Sequence, residues 1–177
     1  AHGRLGTIGP RIAEKEQKVN TSVAPAMFQQ PGQGSSRASG VFVELPDLYS
    51  CFYRQHRNPG KPTLLLVHGM VASSGLNWFR LLPALAPPVK IIAPDIRGHG
   101  RSSRGNGRFS FELAAHDLAA LIEAVDCGPV IAVGYSMGGA IAQYLWRQHP
   151  HHVSGLVFAA STYRARVARH EELFVLP

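Results

Sequence analysis

The sequence has few of the features that mark secreted, membrane or disulfide-rich proteins. Only two of its 177 residues are cysteines, Cys51 and Cys127, which is too few for a disulfide framework and favours a reducing compartment. Its purely apolar runs are short, so no transmembrane helix is predicted. No apolar segment typical of a signal peptide is visible near the N-terminus. We therefore expect a cytoplasmic protein.

The sequence also lacks runs of one charge. Its formal net charge is +7, from 18 Lys and Arg against 11 Asp and Glu, but no run of four or more basic residues occurs. Nucleic-acid-binding proteins concentrate their basic residues in a patch or stripe. We therefore expect no nucleic-acid partner, and the sequence predicts no cofactor and no metal site.

Composition and patterning divide the chain into three segments. Residues 1–40 are rich in Gly, Pro, Ser, Gln and Arg and are predicted to form a disordered or loosely attached extension. Residues 41–160 carry alternating apolar and amphipathic patterns and are predicted to form the folded core. Residues 161–177 are interpreted as the start of a cap or of the next helix.

The core segment alternates strand patterns with helix patterns, which predicts an α/β fold with a mostly parallel sheet and flanking helices. In such sheets, ligands bind beyond the carboxyl ends of the strands. Ser110 is the predicted N-cap of the longest helix. The predicted strands are 41–45, 48–54, 63–67, 89–93, 130–133 and 153–160, and the predicted helices are 78–85, 111–125 and 138–149.

The segment Gly-Tyr-Ser-Met-Gly at 134–138 joins a predicted strand to a predicted helix. A serine at such a turn can be a nucleophile, and Gly134 and Gly138 provide room for the sharp bend. The start of the following helix supplies backbone N–H groups, so the N–H of Met137 is a candidate oxyanion donor. Ser136 is thus the candidate catalytic nucleophile.

A second motif, His68-Gly69-Met70, follows the predicted strand 63–67. Gly69 would let the chain turn and direct the N–H of Met70 towards the serine as a second oxyanion donor. His68 has two interpretations, a catalytic base or a buried residue with a hydrogen-bonding role, and we favour the second.

The loop 94–102 contains an Asp, an Arg, a His and two glycines. This composition predicts a fixed loop with internal hydrogen bonds. The alternative makes Asp95 and His99 a catalytic pair. It is disfavoured because the loop is too short to bring both groups to Ser136 in a relay.

These motifs, in this order and at this spacing, resemble the α/β-hydrolase superfamily over residues 41–160. The resemblance rests on Leu-Leu-Leu-Val-His-Gly at 64–69, Asp-Ile-Arg-Gly-His-Gly-Arg-Ser at 95–102 and Gly-Tyr-Ser-Met-Gly-Gly at 134–139. It implies the strand order 1-2-4-3-5-6-7-8 and an esterase-like hydrolase in which Ser136 is the nucleophile. Serine at this position argues against the dehalogenase and epoxide hydrolase branches, which resemble the chain but use aspartate there.

The same resemblance implies an acid after the seventh or sixth strand and a histidine after the eighth, and neither is visible in this chain. We interpret the chain as truncated after the sixth strand, whose uncovered apolar edge predicts self-association. Among the histidines and glutamates after the nucleophile, the following are not predicted to complete a triad: His151, His152, His170, Glu171 and Glu172.

Two function classes therefore remain open. The first is a serine hydrolase that acts on a small acyl substrate, with C–C hydrolases, perhydrolases and acyltransferases as variants of the same superfamily. The second is a non-catalytic binding protein of the same fold, which the missing base supports and the intact Ser136 motif opposes.

Overall fold

The computed structural model describes residues 39–47, 49–85 and 88–161. Most of the predicted N-terminal extension lies outside these residues, as do all but the first residue of the segment 161–177. The first strand begins at Ser39, two residues inside the stretch that composition assigned to the extension.

Six strands form one mixed sheet in the order β1-β2-β4-β3-β5-β6. β1 pairs antiparallel with β2, and β2 pairs antiparallel with β4, whereas β4, β3, β5 and β6 are parallel. This confirms the predicted fold class and the order that the resemblance implies for the first six strands. The strands are β1 (Ser39–Leu45), β2 (Tyr49–His56), β3 (Thr63–Val67), β4 (Lys90–Pro94), β5 (Val130–Tyr135) and β6 (Val153–Ala159).

In the described part of the chain, four α-helices accompany the sheet: α1 (Ser74–Trp78), α2 (Leu81–Leu85), α3 (Phe111–Ala124) and α4 (Met137–Gln148). The continuous helix predicted over 78–85 is wrong, because α1 ends at Trp78 and α2 starts at Leu81. Pro83 has no N–H to donate to the carbonyl of residue 79, so a helix cannot run unbroken across this segment. The start of α3 agrees with its predicted cap, since the Leu113 N–H donates to the Ser110 hydroxyl at 3.1 Å.

The centre of the sheet is buried, because side chains cover β3 and β4 on both faces. Leu65, Leu66 and Val67 are completely inaccessible, as is Ile91. One apolar cluster lies where α3 and α4 pack, and a smaller one forms around Trp78 and Leu82. Complete burial of each large aliphatic side chain contributes about 1.5–3 kcal/mol, so these residues hold the strand ends in place.

The strand β6 forms one edge of the sheet and is poorly covered. It pairs with β5, and none of its seven residues is fully buried. Val157 and Phe158 remain 46% and 38% exposed. Such an edge offers free backbone groups and apolar side chains to another molecule.

Both cysteines are free thiols: Cys51 is buried in β2 and Cys127 is half-buried after α3. Burial raises the pKa of the Cys51 thiol to about 11, so it stays protonated and unreactive. None of the helices in the described part of the chain has the length and apolar character needed to cross a bilayer.

Candidate active site

Ser136 occupies the turn between β5 and α4 with φ 50° and ψ −117°. Positive φ is uncommon for a residue with a side chain and costs about 1–3 kcal/mol. Three hydrogen bonds hold this conformation. The Ser136 N–H donates to the Ala159 carbonyl at 3.0 Å, and the Ser136 carbonyl accepts from the Gly139 N–H at 3.0 Å and from the Ser161 hydroxyl at 2.7 Å. The side chain itself is exposed to solvent.

Glycines flank the serine where backbones come into close contact. A Cβ added to Gly134 would lie 2.4 Å from backbone atoms of Gly138 and Gly139, and a Cβ on Gly138 would lie 2.2 Å from the Val67 carbonyl oxygen. Neither backbone can move away without shifting a buried strand or α4. The two glycines therefore let α4 pack directly against β5 and β3, which fixes Ser136 at the tip of the turn.

The loop after β3 runs beside the serine. A Cβ on Gly69 would lie 3.4 Å from the Ser136 Cβ and 2.9 Å from the ring of Tyr135. The Gly69 N–H donates to the Asn77 side chain at 2.8 Å, which anchors the loop to α1. Met70 is the next residue and is 44% exposed. The structure thus brings together the two motifs that the sequence singled out.

Met137, the other residue with a predicted oxyanion N–H, is the first residue of α4, and its side chain is buried. The first N–H groups of a helix have no acceptor within the helix, and the helix dipole places partial positive charge there. An anion beside Ser136 would therefore be stabilised by the start of α4.

His68 is completely buried and uses both ring nitrogens. Its Nε2 atom accepts from the Ile96 N–H at 2.9 Å, and its Nδ1–H donates to the Gly69 carbonyl at 2.7 Å. Burial lowers the pKa of His68, and the nearby His99 lowers it further, so the ring stays neutral. With both nitrogens engaged in this way, the ring connects two loops and is not free to take a proton from Ser136.

Asp95 is also buried and fixes the start of α1, which follows the loop after β3. Its Oδ1 atom accepts from the Ser74 N–H at 2.7 Å and from the Ser74 hydroxyl at 2.6 Å, and its Oδ2 atom accepts from the Arg101 N–H at 2.9 Å. The ring of His99 packs edge-on against that of His68, with centroids 5.3 Å apart. No described contact joins Asp95 or His99 to Ser136, so the structure does not assemble them as a catalytic pair with it.

Arg97, in the loop 94–102 after β4, makes a contact that the sequence did not reveal. Arg97 forms a buried two-point ion pair with Asp117 of α3 and donates to the Asn106 carbonyl at 2.9 Å. The hydrogen bond to Asp117 raises the pKa of Arg97, so the guanidinium remains charged. The prediction that internal hydrogen bonds fix the loop 94–102 is therefore incomplete, because the ion pair of Arg97 joins this loop to α3.

A buried role for Asp117 could have been suspected from the sequence, because it lies next to Leu118, one of the apolar residues on the buried face of α3. Ser74, Asn77 and Ser161 carry no comparable signal. Each of them has one partner whose position depends on how separate loops and helices pack: Asp95 for Ser74, Gly69 for Asn77 and Ser136 for Ser161.

The described histidines that follow the nucleophile lie away from this site. His151 and His152 form the turn that leads from α4 into β6, at the opposite ends of the parallel strands from Ser136. His170, Glu171 and Glu172 lie outside the described residues. Within residues 39–47, 49–85 and 88–161, no histidine or carboxylate makes a described hydrogen bond to the Ser136 side chain.

Comparison with known proteins places these features in one family. The family model described as "alpha/beta hydrolase fold" matches residues 62–175. This range includes β3, the loop after it, the Arg97 loop and the Ser136 turn.

Two curated relatives illustrate the similarity. Lipase LipV of Mycobacterium tuberculosis is 39% identical over 104 residues, covering 58% of this chain and 39% of the lipase. A haloalkane dehalogenase of Mesorhizobium japonicum is 32% identical over 115 residues, covering 65% of this chain and 37% of the dehalogenase. The chain thus spans about two fifths of the length of these relatives.

Solved structures give the same result. A hydrolase from Pseudomonas aeruginosa superposes with a TM-score of 0.65 at 28% identity, covering 70% of this chain and 46% of that protein. The shared part has the same fold.

Proposed function

The chain belongs to the α/β-hydrolase fold family, and on that premise we propose that it is the nucleophile-bearing part of a serine hydrolase that acts on an ester or a related carbonyl compound. The observation that carries the proposal is the strained backbone of Ser136, held by three hydrogen bonds at the start of α4. A fold maintains such a conformation at a cost, and nucleophiles are a common reason for it.

In the proposed reaction, the Ser136 Oγ atom attacks the carbonyl carbon of the substrate, and the carbonyl oxygen becomes an oxyanion. The N–H groups of Met137 and Met70 stabilise that oxyanion, and removal of one such donor typically costs about 10²–10³ in rate. The leaving group departs with a proton, and water then hydrolyses the acyl-enzyme. His68 acts here as a positioning residue, since it fixes the carbonyl of Gly69 directly before Met70.

A base and an acid are needed to move these protons. Because the described residues place neither at Ser136, and because the chain spans about two fifths of its relatives, we assign both groups to the rest of the protein. We expect the 177-residue chain alone to hydrolyse esters poorly.

Exposed apolar side chains on the segment that follows β3, on α1 and directly before the nucleophile favour an apolar acyl group. Met70 and Val71 follow β3 and are 44% and 86% exposed, and Leu76 on α1 is 65% exposed. Tyr135, directly before the nucleophile, is 39% exposed and packs edge-on against Trp78. An apolar acyl chain would cover part of this surface when its carbonyl carbon reaches Ser136.

The similarity to a dehalogenase raises a competing chemistry. The resemblance implies aspartate as the nucleophile in that branch, whereas this chain has serine at 136. An oxyanion hole also suits attack on a carbonyl group. We therefore favour an acyl substrate, with C–C hydrolase, perhydrolase and acyltransferase reactions as variants that use the same two elements.

A non-catalytic binding protein is the second candidate. One observation favours it: both nitrogens of His68, the histidine nearest in sequence to the proposed oxyanion loop, are engaged in hydrogen bonds. The strained Ser136 turn opposes it, since a binding surface has no need of that conformation.

Labelling of the full-length protein with a fluorophosphonate probe separates these candidates. We expect one adduct on Ser136, located by mass spectrometry, and its loss in Ser136→Ala. Ser154→Ala is the matched control, because Ser154 is an exposed serine on β6 and should not affect labelling. A folded full-length protein that does not react would contradict the hydrolase proposal and favour the binding protein.

A further inference from the structure

Four histidines and a glutamate gather at the end of the sheet opposite Ser136. His116 and Glu123 are seven residues apart on α3, so they lie on one face of that helix. His149 ends α4, and His151 and His152 belong to the 3₁₀ turn Pro150–His152 that leads into β6. Packing of α3 against α4 brings the two groups together.

The five side chains form a continuous cluster. The His152 Nε2 atom lies 3.0 Å from a Glu123 carboxylate oxygen, and the His149 Nε2 atom lies 2.8 Å from the His116 Nδ1 atom. The ring centroids of His151 and His152 are 4.0 Å apart. One potential ligand atom from each of Glu123, His151 and His152 lies within 4.8 Å of the other two.

We propose that Glu123, His151 and His152 bind a divalent transition-metal ion, with Zn²⁺ as the ion of reference. Imidazole nitrogen and carboxylate oxygen are the donors that zinc accepts, at bonds of about 2.0–2.2 Å. Three protein ligands leave a fourth position of the tetrahedron for water. The bound ion would connect the last turn of α3 to the turn that precedes β6.

The geometry requires little rearrangement. Donors around a tetrahedral ion are separated by roughly 3.4 Å, given zinc bonds of this length. The present separations of up to 4.8 Å therefore close by small side-chain rotations. Glu123 and His151 are exposed, so solvent rather than packed side chains occupies the space into which they would turn.

The His116–His149 pair packs beside the proposed metal ligands. His149 lies with its ring centroid 6.1 Å from that of His152 and 6.4 Å from that of His151. Its Nε2 atom is engaged with His116, which keeps both of these rings beside the proposed ligands.

The competing explanation is a set of hydrogen-bonded surface histidines that bind no ion. Spacing along the sequence does not distinguish the two explanations, because two of the five residues come from another helix. The proposal is independent of the catalytic function, since these residues lie at the opposite ends of the strands from Ser136.

The test uses full-length protein without a polyhistidine tag, titrated with Zn²⁺ in competition with a chromophoric chelator. We expect one ion per chain and a zinc-dependent rise in Tm. In His151→Ala/His152→Ala the affinity should fall by more than the roughly 10–100-fold that loss of a supporting residue causes. Glu123→Gln keeps a hydrogen-bond acceptor for His152 but removes the carboxylate, so it should weaken binding while the fold is retained.

Two control variants make the result specific. His56→Ala removes a histidine on β2, at the other side of the sheet, and Cys127→Ala removes the partly accessible thiol. Both should bind zinc as the parent protein does. Co²⁺ should give tetrahedral absorption bands without thiolate charge transfer. Absence of a bound ion, retention of binding in Glu123→Gln and in the double variant, or loss of binding in either control would overturn the proposal.

Discussion

The Nε2 atom of His68 accepts a hydrogen bond from the Ile96 N–H at 2.9 Å, and this bond joins the loop after β3 to the loop after β4. The acceptor is available only while the ring is neutral. Because burial lowers the pKa of His68 from 6.5, protonation is easier in the unfolded chain than in the folded one. The contribution of this residue to stability is therefore complete above pH 6.5 and is lost as the pH falls through the lower pKa of the folded state.

We predict that acid destabilises the protein partly through this residue. Between pH 6.5 and the lowered pKa, the free energy of unfolding should fall by up to about 1.4 kcal/mol per pH unit for one proton. His68→Gln retains an acceptor and a donor but does not titrate, so its profile of stability against pH should be flatter. Urea denaturation from pH 8 to pH 5 measures this. His56→Gln is the control, and equal slopes for the His68 variant and the parent would contradict the prediction.

Asp95→Asn should destabilise the loop that carries Met70. The substitution replaces a buried carboxylate that accepts three hydrogen bonds by an amide that can accept fewer. We expect a loss of about 1.5–3 kcal/mol, as for buried hydrogen bonds to a charged group. Chemical denaturation checks the value. Asp126→Asn, an exposed change at a positive φ that asparagine tolerates, should have little effect.

Asp117→Ala should be among the most destabilising single substitutions on α3. It leaves the Arg97 guanidinium buried without its carboxylate, which costs about 3–5 kcal/mol. The double variant Arg97→Met/Asp117→Leu removes both charges and should recover much of that loss. A double variant as unstable as Asp117→Ala would show that the cost comes from lost packing instead.

Gly138→Ala should prevent close packing of α4 on β3. Its Cβ would lie 2.2 Å from the Val67 carbonyl oxygen, and the obstacle is backbone in the middle of the sheet. We expect a loss of about 1–3 kcal/mol or more, together with loss of fluorophosphonate labelling at Ser136. Gly155→Ala is the matched control, because its Cβ would meet Ile131 at an ordinary 3.6 Å.

Self-association through β6 remains a prediction. We expect the 177-residue chain to form oligomers or aggregates in sedimentation velocity experiments, because β6 exposes an apolar edge. Val157→Lys places a charge on that edge and should shift the chain towards monomer. Leu76→Lys, a similar change on α1, should not. A stable monomeric parent would contradict the prediction.

The sequence predicted the features that depend on local pattern. The apolar runs gave the six strands, and Ser110 marked the start of α3 because capping involves residues three positions apart. The glycine spacing around Ser136 predicted the turn, since the room for a sharp bend comes from Gly134 and Gly138, which are four positions apart. These signals act over short distances along the chain.

Other contacts could not be predicted because they join distant segments. Asp117 lies 20 residues from Arg97, and His149 lies 33 residues from His116. Which of several charged or polar residues meets another depends on the crossing of helices and loops. The break between α1 and α2 was a local error, since the apolar spacing of 78–85 concealed the effect of Pro83.

The two bonds that fix Ser136 to the end of β6 have a consequence for the time at which the site forms. The Ser136 N–H donates to Ala159, and Ser161 donates to the Ser136 carbonyl. A ribosome-bound chain that has emerged only as far as α4 contains the whole glycine-serine motif but neither bond. The strained backbone of Ser136 should therefore form only after β6 has added to the growing sheet, and a nascent chain that ends at α4 should not hold the nucleophile in that geometry.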